Sequence, residues 1–425
     1  MQKIEAVRGM HDLLPSEARK FYYLLDKIQQ ILDLYGFEPI MLPLLEKTEL
    51  FARSIGNDTD IVAKEMYTFL DRNEDSLTLR PEGTAGCVRA VLDHNLTYHQ
   101  VQKLWYVGPM FRYERPQKGR YRQFYQLGVE AFGLPGPNID AEILVMLHTL
   151  WQALGLKEAV QLELNNLGAL LERKAYQEAL VAYLETYAKE LDPDSQRRLY
   201  TNPLRIFDSK VEHTQQILHT APKLKAYLGT DTLKHFDDLQ RLLDETGVKY
   251  IINEHLVRGL DYYNLTVFEW TSPLLGAQAT VCAGGRYDTL VQELGGTPTP
   301  AFGFAMGLER LMLMLDDLKA YPNLEAHPEV YLILAGSAAE LLGFRLGETL
   351  RQAGIRVAQS YEAASFKNQF KKADKSGALL ALILGEEELA RQVVKVKFLR
   401  AAHPQMDIAY DKIIPVLTEL LNSVR

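Results

Sequence analysis

The sequence predicts an α+β protein, with a large mixed domain that carries a helical insertion and a small α/β domain after it. Three observations predict this fold. Residues 1–168 mix helical spacing with strand-like runs, residues 169–228 contain no glycine, and residues 330–398 alternate strand and helix patterns. The chain has 425 residues, of which 47% are hydrophobic and 24% charged, enough apolar material for a core in each of two or three domains.

The large domain begins with a predicted helix over 15–35, where Phe21, Leu24, Ile28 and Leu32 recur at helical spacing. We place the first part of this domain at 1–168 and its second part at 249–320, where a helix pattern over 307–315 follows the last strand. The predicted strands are, in order, 76–79, 103–112, 250–252, 266–270 and 278–283.

The segment between the two parts, 169–248, is predicted to be a helical insertion. It is rich in Leu, Glu, Lys, Gln and Tyr, and its turn signals lie at 192–194, 202–203 and Pro222.

A linker is predicted at 319–328, since this stretch contains Pro322, Asn323 and Pro328. The domain after it, 328–425, reads as alternating strands and helices with a largely parallel core. Its strands are predicted at 330–334, 356–359, 379–384 and 393–398, and its helices at 338–353, 366–376 and from 411 onward.

Charge and composition narrow the function classes. The net charge of −8 argues weakly against nucleic acid, but residues 329–425 carry 13 Lys and Arg against 11 Asp and Glu, a local net of +2. The longest apolar run, 378–384, is too short to span a membrane, and the N-terminus has no apolar signal core. We therefore expect a soluble, cytoplasmic protein with no membrane partner. The two cysteines, Cys87 and Cys282, support neither a disulfide framework nor a metal site and are predicted to be small buried groups.

The densest chemical signal is a hairpin pattern over 108–133. On its second strand Leu127 and Val129 alternate with Gln126, Gly128 and Glu130, so one face is apolar and the other is polar with a gap at the glycine. A carboxylate and an amide beside a position without a side chain could bind a small polar ligand at two points. A solvent-facing strand with no ligand would give the same pattern.

The hairpin loop holds Arg112, Arg115, Arg120 and Arg122 within eleven residues. Guanidinium groups suit phosphate because their planar fork donates two parallel hydrogen bonds and keeps its charge, although a solvated basic loop is the plainer alternative. Phosphate binding gains weight from further arginines in distant motifs, which are Arg258, Arg286 and Arg310. The sequence contains neither GxxxxGK[ST] nor GxGxxG, so side chains rather than a glycine-rich loop would have to hold a nucleotide.

The stretch RPEGT, 80–84, lies between a strand and a helix pattern. Glu82 would point from this turn toward whatever the sheet binds, while Thr84 could simply cap the helix.

Together these segments resemble the histidyl-tRNA synthetase family. The resemblance rests on VRGMHDLLP, on FEPIMLPLLE with Pro43, on FRYERPQKGRYRQF, on LVRGLDYYN and AGGRYD, and on GLERL, and it covers nearly the whole chain. The sequence departs from the family pattern at Tyr125, Leu265 and Thr289, where His, Arg and Gly are expected. Because Tyr125 falls on the apolar face of its strand, the polar face is unaffected.

The resemblance implies a class II synthetase catalytic domain, with an antiparallel sheet and a helical insertion, followed by an anticodon-binding domain. It implies that Arg112 and Arg258 contact the α-phosphate of ATP from opposite sides as the catalytic pair, and that Arg120 and Arg310 hold the outer phosphates. Glu82, Thr84 and Gln126 would bind the α-amino group of histidine. Glu130 and Tyr263 would bind the two imidazole nitrogens. Tyr262 and Tyr287 would complete the pocket.

The implied reaction is ATP-dependent ligation of L-histidine to tRNA(His) through histidyl-adenylate, with release of AMP and pyrophosphate. The implied partners are L-histidine, ATP, tRNA(His) and a second identical subunit, with Mg²⁺ as the ATP counter-ion and no metal ligands assigned in the protein. In the C-terminal domain, Lys367, Lys371 and Lys375 share one helical face that could contact RNA or could be only a solvated surface.

Three other functions stay open at this point. The chain could be the non-catalytic regulatory paralogue of ATP phosphoribosyltransferase, a class II synthetase for another amino acid, or a structural RNA-binding protein. The retained Arg112, Arg258 and Arg310 and the hundred or so residues after the linker disfavour the first and the third. Glu130 and the LVRGLDYYN segment disfavour the second.

Overall fold

The computed structural model describes residues 3–56, 59–260, 262–361 and 365–424 of the chain. The chain divides into two compact units, Met1–Pro322 and Asn323–Arg425. Within the described ranges, every helix is too short or too polar to cross a membrane.

The helices and strands follow the mixed pattern expected of an α+β chain. In chain order the strands are β1 (Glu38–Pro39), β2 (Leu45–Lys47), β3 (Tyr67–Leu70), β4 (Ser76–Leu79), β5 (Gln102–Phe111), β6 (Gln123–Phe132), β7 (Gln161–Asn166), β8 (Tyr250–Ile252), β9 (Asn264–Thr271), β10 (Thr280–Arg286), β11 (Ala301–Gly307), β12 (Val330–Leu334), β13 (Val357–Gln359), β14 (Leu380–Leu384), β15 (Val393–Phe398) and β16 (Met406–Ala409). The helices are α1 (Pro15–Leu34), α2 (Thr48–Ile55), α3 (Thr84–Asp93), α4 (Pro137–Ala153), α5 (Leu170–Glu185), α6 (Pro193–Arg198), α7 (Glu212–His219), α8 (Thr230–Glu245), α9 (Leu290–Glu293), α10 (Leu308–Asp317), α11 (Ser337–Gln352), α12 (Phe366–Lys375), α13 (Glu386–Ala390) and α14 (Ile413–Val424).

The first unit is built on an eight-stranded sheet in the order β1-β5-β6-β11-β10-β9-β7-β8. Its central strands are antiparallel, and only the end pairs β1–β5 and β7–β8 run parallel. A separate three-stranded sheet, β2-β4-β3, is formed by the residues between β1 and β5. The antiparallel sheet predicted for the catalytic domain is therefore confirmed.

The predicted two-faced character of β6 is also confirmed. Leu127, Val129 and Ala131 enter the main core, which they share with residues of α1, α4, α8 and α10. On the opposite face Tyr106 of β5 stands directly beside Gly128 of β6 in register, and a Cβ at residue 128 would collide with the Tyr106 ring. Residue 128 must therefore be glycine for the tyrosine to lie flat in the sheet face that carries Gln126 and Glu130.

The insertion is helical and comprises α5 to α8 with short 3₁₀ turns between them. At its centre Asp192 caps α6 by accepting hydrogen bonds from the backbone N–H groups of Asp194 and Ser195 at 3.1 and 2.9 Å. The hydroxyls of Ser195, Ser209 and Thr214 also donate to this carboxylate, at 2.6, 2.7 and 2.9 Å, so a single aspartate ties α6, the turn at Ser209 and α7 together.

The second unit has a five-stranded sheet in the order β13-β12-β14-β15-β16. β12 is parallel to both β13 and β14, as the alternating pattern predicts, but β15 and β16 add an antiparallel edge. The sequence analysis missed β16, because its four residues carry no strong alternation. On α12, Lys367, Lys371 and Lys375 are exposed while Ala373 is buried, which is the amphipathic arrangement expected from the spacing.

Candidate active site

A cavity of about 300 Å³ opens on the sheet face that carries Gln126. Its walls come from the β5–β6 hairpin, the start of α3, the segment before β9, and α10. Nine of the eleven predicted site residues line it, namely Arg112, Arg120, Arg258, Arg310, Glu82, Thr84, Gln126, Tyr262 and Tyr263. Asp261, which belongs to the LVRGLDYYN motif, lies outside the described residues.

The four cavity arginines reach one space from three distant stretches of chain. Arg112 and Arg120 belong to the hairpin, Arg258 precedes β9, and Arg310 lies in the first turns of α10. In the sheet, β5 and β9 are separated by β6, β11 and β10, so Arg112 and Arg258 approach the cavity from opposite sides. Four guanidinium groups around one cavity have the charge and hydrogen-bond donors that a polyanion requires.

Among the described residues, the acceptors of two of these arginines all belong to the backbone. The Nε of Arg112 donates to the carbonyl of Pro81 at 2.8 Å. Arg310 donates from Nε to Gly119 at 3.2 Å and from Nη1 to Thr280 at 2.6 Å. Burial, and then the neighbouring Arg120, lower the pKa of Arg310. An added anion would relieve this crowding of positive charge.

The other two arginines have carboxylate partners. Arg120 pairs with Glu114 at 3.1 Å. Arg258 pairs with Glu269 of β9, and both side chains are largely buried. Burial by itself lowers the pKa of Arg258, but Glu269 and Tyr263 more than offset this, so its pKa is raised. The Nε of Arg258 is buried and has no hydrogen-bond partner among the described residues, so it remains a donor for a ligand.

Arg286, which the sequence analysis grouped with these arginines, does not reach the cavity. It is buried and pairs with Asp140 of α4 at 2.7 Å and with Asp288 at 3.1 Å. Arg122 also has another role, since its guanidinium lies 3.7 Å from the ring centre of Tyr113. Arg115 is exposed and does not line the cavity. Of the arginines that the sequence analysis grouped together, Arg115, Arg122 and Arg286 therefore have structural roles or face solvent.

Glu82, in the turn before α3, both caps the helix and lines the cavity. Its carboxylate accepts from the backbone N–H groups of Thr84 at 2.6 Å and Ala85 at 2.9 Å, so Glu82 rather than Thr84 satisfies the helix N-terminus. Burial raises the pKa of Glu82 in spite of these hydrogen bonds. Because its carboxylate also lines the cavity, it can accept a further hydrogen bond from a ligand amine.

Glu130 lies fully buried behind Thr84 and is not itself part of the cavity wall. Three hydroxyls converge on it, from Thr84 at 2.8 Å, Tyr106 at 3.0 Å and Tyr287 at 2.5 Å. Burial raises the pKa of Glu130 to about 8, although the hydrogen bonds from Tyr287, Thr84 and Tyr106 act in the opposite direction. Tyr287 is buried with Glu130, and its ring lies 5.6 Å from that of Tyr262 in the wall.

Gln126 offers an unused acceptor. Its Oε1 is buried and, among the described residues, has no hydrogen-bond partner. A buried amide oxygen without a partner costs free energy, so this atom favours a ligand that brings a donor to the cavity.

Sequence reasoning missed several groups that the fold brings to this site. Glu269, Glu309, Glu114 and Phe124 line the cavity, and Tyr106 bonds to Glu130 beneath it. The signals were a charged residue inside the apolar strand run TVFEWT for Glu269 and an aromatic residue among the arginines for Phe124. The guanidinium of Arg112 lies over the Phe124 ring, 5.4 Å from its centre, so an aromatic ring stands beside the cluster of positive charges.

The buried carboxyl groups predict a pH-dependent stability. Native Glu130, with a pKa of about 8 against an ordinary 4.5, keeps a proton that the unfolded chain releases between these values, so the free energy of unfolding falls as the pH rises through this range. In a Glu130→Gln variant this fall should be smaller by about 1 kcal/mol or more. Chemical denaturation at several pH values between 5 and 8 measures it.

Glu309 provides the comparison for that experiment. Burial raises its pKa to about 7, while the backbone N–H of Tyr125 donates to it at 2.7 Å and lowers it. A Glu309→Gln variant should lose only the part of the pH dependence that ends near pH 7. Equal slopes for the wild type and the Glu130→Gln protein would contradict a protonated Glu130.

The described residues contain no group of three or more His, Cys, Asp or Glu side chains arranged to hold a metal ion. Glu114, Glu269 and Glu309 do line the cavity, but the first two are paired with arginines. A divalent cation would therefore take most of its oxygen ligands from a bound polyphosphate.

Comparisons with known proteins agree with this geometry. A family model described as histidyl-tRNA synthetase matches residues 9–311, and a second, described as an anticodon binding domain, matches residues 329–420. The apo histidyl-tRNA synthetase of S. aureus is 34% identical over 97% of this chain and 99% of its own, with a TM-score of 0.83.

Two more distant structures share the fold. A histidyl-tRNA synthetase from Nostoc sp. is 22% identical, covers 99% of this chain and 100% of its own, and has a TM-score of 0.69. An ATP phosphoribosyltransferase regulatory subunit/histidyl-tRNA synthetase from Bacillus halodurans is 20% identical, covers 91% of this chain and 100% of its own, and has a TM-score of 0.65.

Proposed function

The chain belongs to the histidyl-tRNA synthetase family, a family of class II aminoacyl-tRNA ligases, and from this premise we propose that it ligates L-histidine to tRNA(His) through histidyl-adenylate. The observation that carries the proposal is the convergence of Arg112, Arg120, Arg258 and Arg310 on a cavity whose wall adjoins a buried carboxyl group, Glu130. The arginines would match a triphosphate, and the buried carboxyl group would match the polar side chain of a small amino acid.

In the first step the carboxylate of histidine attacks the α-phosphorus of ATP, forming the mixed anhydride and expelling pyrophosphate. Arg112 and Arg258, from opposite sides of the cavity, neutralise the charge that develops on the α-phosphate and hold the reacting atoms in line. The adenylate carbonyl is then attacked by the terminal ribose hydroxyl of tRNA(His), which releases AMP. No side chain of the protein has to form a covalent intermediate.

Histidine would be selected at the inner end of the cavity. Glu82, Thr84 and Gln126 take the α-amino group, since the Gln126 Oε1 has no hydrogen-bond partner among the described residues and Glu82 keeps acceptor capacity. Glu130 and Tyr263 take the two imidazole nitrogens.

The hydrogen bonds already made by Glu130 are compatible with this role. In its ionised form the two oxygens offer about four acceptor sites, and three hydroxyls occupy three of them, so loss of the Glu130 proton on histidine binding leaves one for an imidazole N–H that passes Thr84. Tyr262 in the wall and Tyr287 behind it close the pocket on its apolar side. An amino acid without the imidazole nitrogens would leave these buried groups unpaired.

ATP would lie along the arginines. Arg120 and Arg310 hold the outer phosphates, and the Phe124 ring offers the purine a surface on which to stack. Mg²⁺ would enter with ATP as its counter-ion, where it neutralises phosphate charge, and the acidic groups that could approach it are Glu114 and Glu309.

The C-terminal unit would bind the anticodon of tRNA(His). The anticodon-binding family model covers residues 329–420, and the exposed Lys367, Lys371 and Lys375 on α12 offer phosphate contacts. Because the net charge of this unit is small, specific contacts rather than general electrostatic attraction would have to provide RNA recognition.

The protein would act as a homodimer. Met41 is 97% exposed and Leu70 is 65% exposed, so two large apolar side chains near the three-stranded sheet have little cover within one chain. Arg80 connects this region to the site, because it donates to the carbonyls of Leu42 at 3.1 Å and Pro109 at 3.0 Å. A monomer by light scattering at micromolar concentration would contradict a dimer.

The alternative function is that of a non-catalytic regulatory paralogue of ATP phosphoribosyltransferase. The neighbour from Bacillus halodurans shows only that the fold is shared, because it is 20% identical. The arginines of the cavity and the matched anticodon-binding region favour the ligase.

Aminoacylation of purified tRNA with each radiolabelled amino acid in turn tests the proposal. Histidine should be attached to tRNA(His) in an ATP-dependent reaction, and the other amino acids should not be. Absence of charging with a properly folded protein would favour the regulatory alternative.

A further inference from the structure

Glu269 and Thr280 connect two of the cavity arginines, although neither belongs to the motifs that indicated the site. Glu269 lies in β9 and Thr280 at the start of β10, which are neighbouring strands of the large sheet. One carboxylate oxygen of Glu269 accepts from Nη1 of Arg258, and the other accepts from the Thr280 hydroxyl at 2.8 Å. The carbonyl of Thr280 in turn accepts from Nη1 of Arg310 at 2.6 Å.

A continuous chain of hydrogen bonds therefore runs from Arg258 through Glu269 and Thr280 to Arg310. Arg310 extends it to the hairpin loop, since its Nε donates to the carbonyl of Gly119 at 3.2 Å. All four residues of this hydrogen-bond chain line the cavity, so it joins two of the guanidinium groups there. Such a chain can fix the spacing between the two arginines before any ligand arrives.

The pairing leaves part of Arg258 available. Nη1 is bound to Glu269, while the buried Nε has no partner among the described residues. A guanidinium with one edge held by a carboxylate cannot rotate freely, so its remaining N–H groups point in a fixed direction.

We propose that Glu269 is a positioning residue for amino-acid activation, and that Thr280 passes this positioning on to Arg310. Glu269 aims Arg258 at the reacting phosphate and keeps its charge balanced while the cavity is empty. Thr280 holds Glu269 in the rotamer that does so. The inference rests on the proposed function, because it assigns the two residues to the same activation step.

Glu163 is a matched control. It lies directly beside Glu269 in register on β7, is also a glutamate in the same sheet, and accepts from Asn253 at 2.7 Å and Thr271 at 3.1 Å. It does not line the cavity. A Glu163→Gln change therefore removes a similar charge without touching either arginine.

The test measures histidine-dependent ATP–pyrophosphate exchange in the full-length protein. Glu269→Gln should lower kcat by about 100-fold, because Arg258 would no longer be aligned with the reacting phosphate, while KM for histidine changes little. Glu163→Gln should stay within about threefold of the wild type. Thr280→Val should lose about tenfold and Thr280→Ser, which keeps the hydroxyl, should restore most of it.

A double-variant comparison separates positioning from a general structural effect. If Glu269 acts through Arg258, then Glu269→Gln should cause little further loss in an Arg258→Ala background. Losses that multiply, or a Glu269→Gln protein as active as the wild type, would overturn the inference. If the Glu269→Gln protein proves unstable, the comparison of Thr280→Val with Thr280→Ser tests the inference instead. Equal activity of these two variants would overturn it. A wild-type protein without histidine-dependent exchange would instead contradict the proposed function itself.

Discussion

Arg258→Ala is expected to lower histidine-dependent ATP–pyrophosphate exchange by about 1,000-fold or more, with the fold intact. Arg258 is a charged donor directed into the cavity, and its removal takes away charge stabilisation on one side of the reacting phosphate. It also leaves Glu269 as a buried carboxylate without its cation, which would repel an incoming triphosphate. Both effects act on the same step.

The control for this prediction is Arg241→Ala, since Arg241 is an exposed arginine of α8 that pairs with Asp238 on its own helix. It should leave exchange unchanged. Arg258→Lys should recover only a small part of the loss, because an ammonium group cannot bind Glu269 and a phosphate with one rigid fork. Near-normal exchange by a folded Arg258→Ala protein would rule out the role given to this residue.

The second large effect is expected from Glu130→Gln, which should lower kcat/KM for histidine on the order of 1,000-fold, mostly through KM. The amide replaces one acceptor oxygen by an NH₂ donor where Thr84, Tyr106 and Tyr287 direct hydroxyl donors, so the cluster must rearrange and compete with the imidazole for the one oxygen that remains. Steady-state exchange over a range of histidine concentrations measures the effect.

Tyr287→Phe provides a graded comparison for Glu130. It removes one of the three hydroxyl donors and leaves the carboxyl group, so a loss of about tenfold is expected. Unaltered histidine selectivity in the Glu130→Gln protein would mean that residues other than Glu130 recognise the imidazole.

Much of the fold could be predicted from local pattern alone. The alternation of Leu127 and Val129 with Gln126 and Glu130 fixes the two faces of β6, because a strand repeats every two residues. The helix α1 and the parallel strands β12 to β14 have equally regular patterns. β16 was missed because a four-residue edge strand carries too few positions to show a period.

The candidate site was predictable only in part, because distant partners decide what a charged residue does. Arg286 and Arg310 look alike in sequence, yet Asp140 on α4 neutralises the first while the second faces the cavity. The contacts that Glu269 and Tyr106 make at the site depend on the sheet, which places β9 beside β10 and β5 beside β6. The sequence alone therefore did not indicate these two residues. The resemblance to a family supplied the roles that residue chemistry alone left open.

A crystal structure of the protein with a non-hydrolysable histidyl-adenylate analogue tests the central claim most directly. The account predicts the phosphate mimic between Arg112 and Arg258, with the imidazole nitrogens within hydrogen-bond distance of Glu130 and Tyr263. An analogue bound outside the arginine-lined cavity, or an imidazole turned away from Glu130, would contradict it.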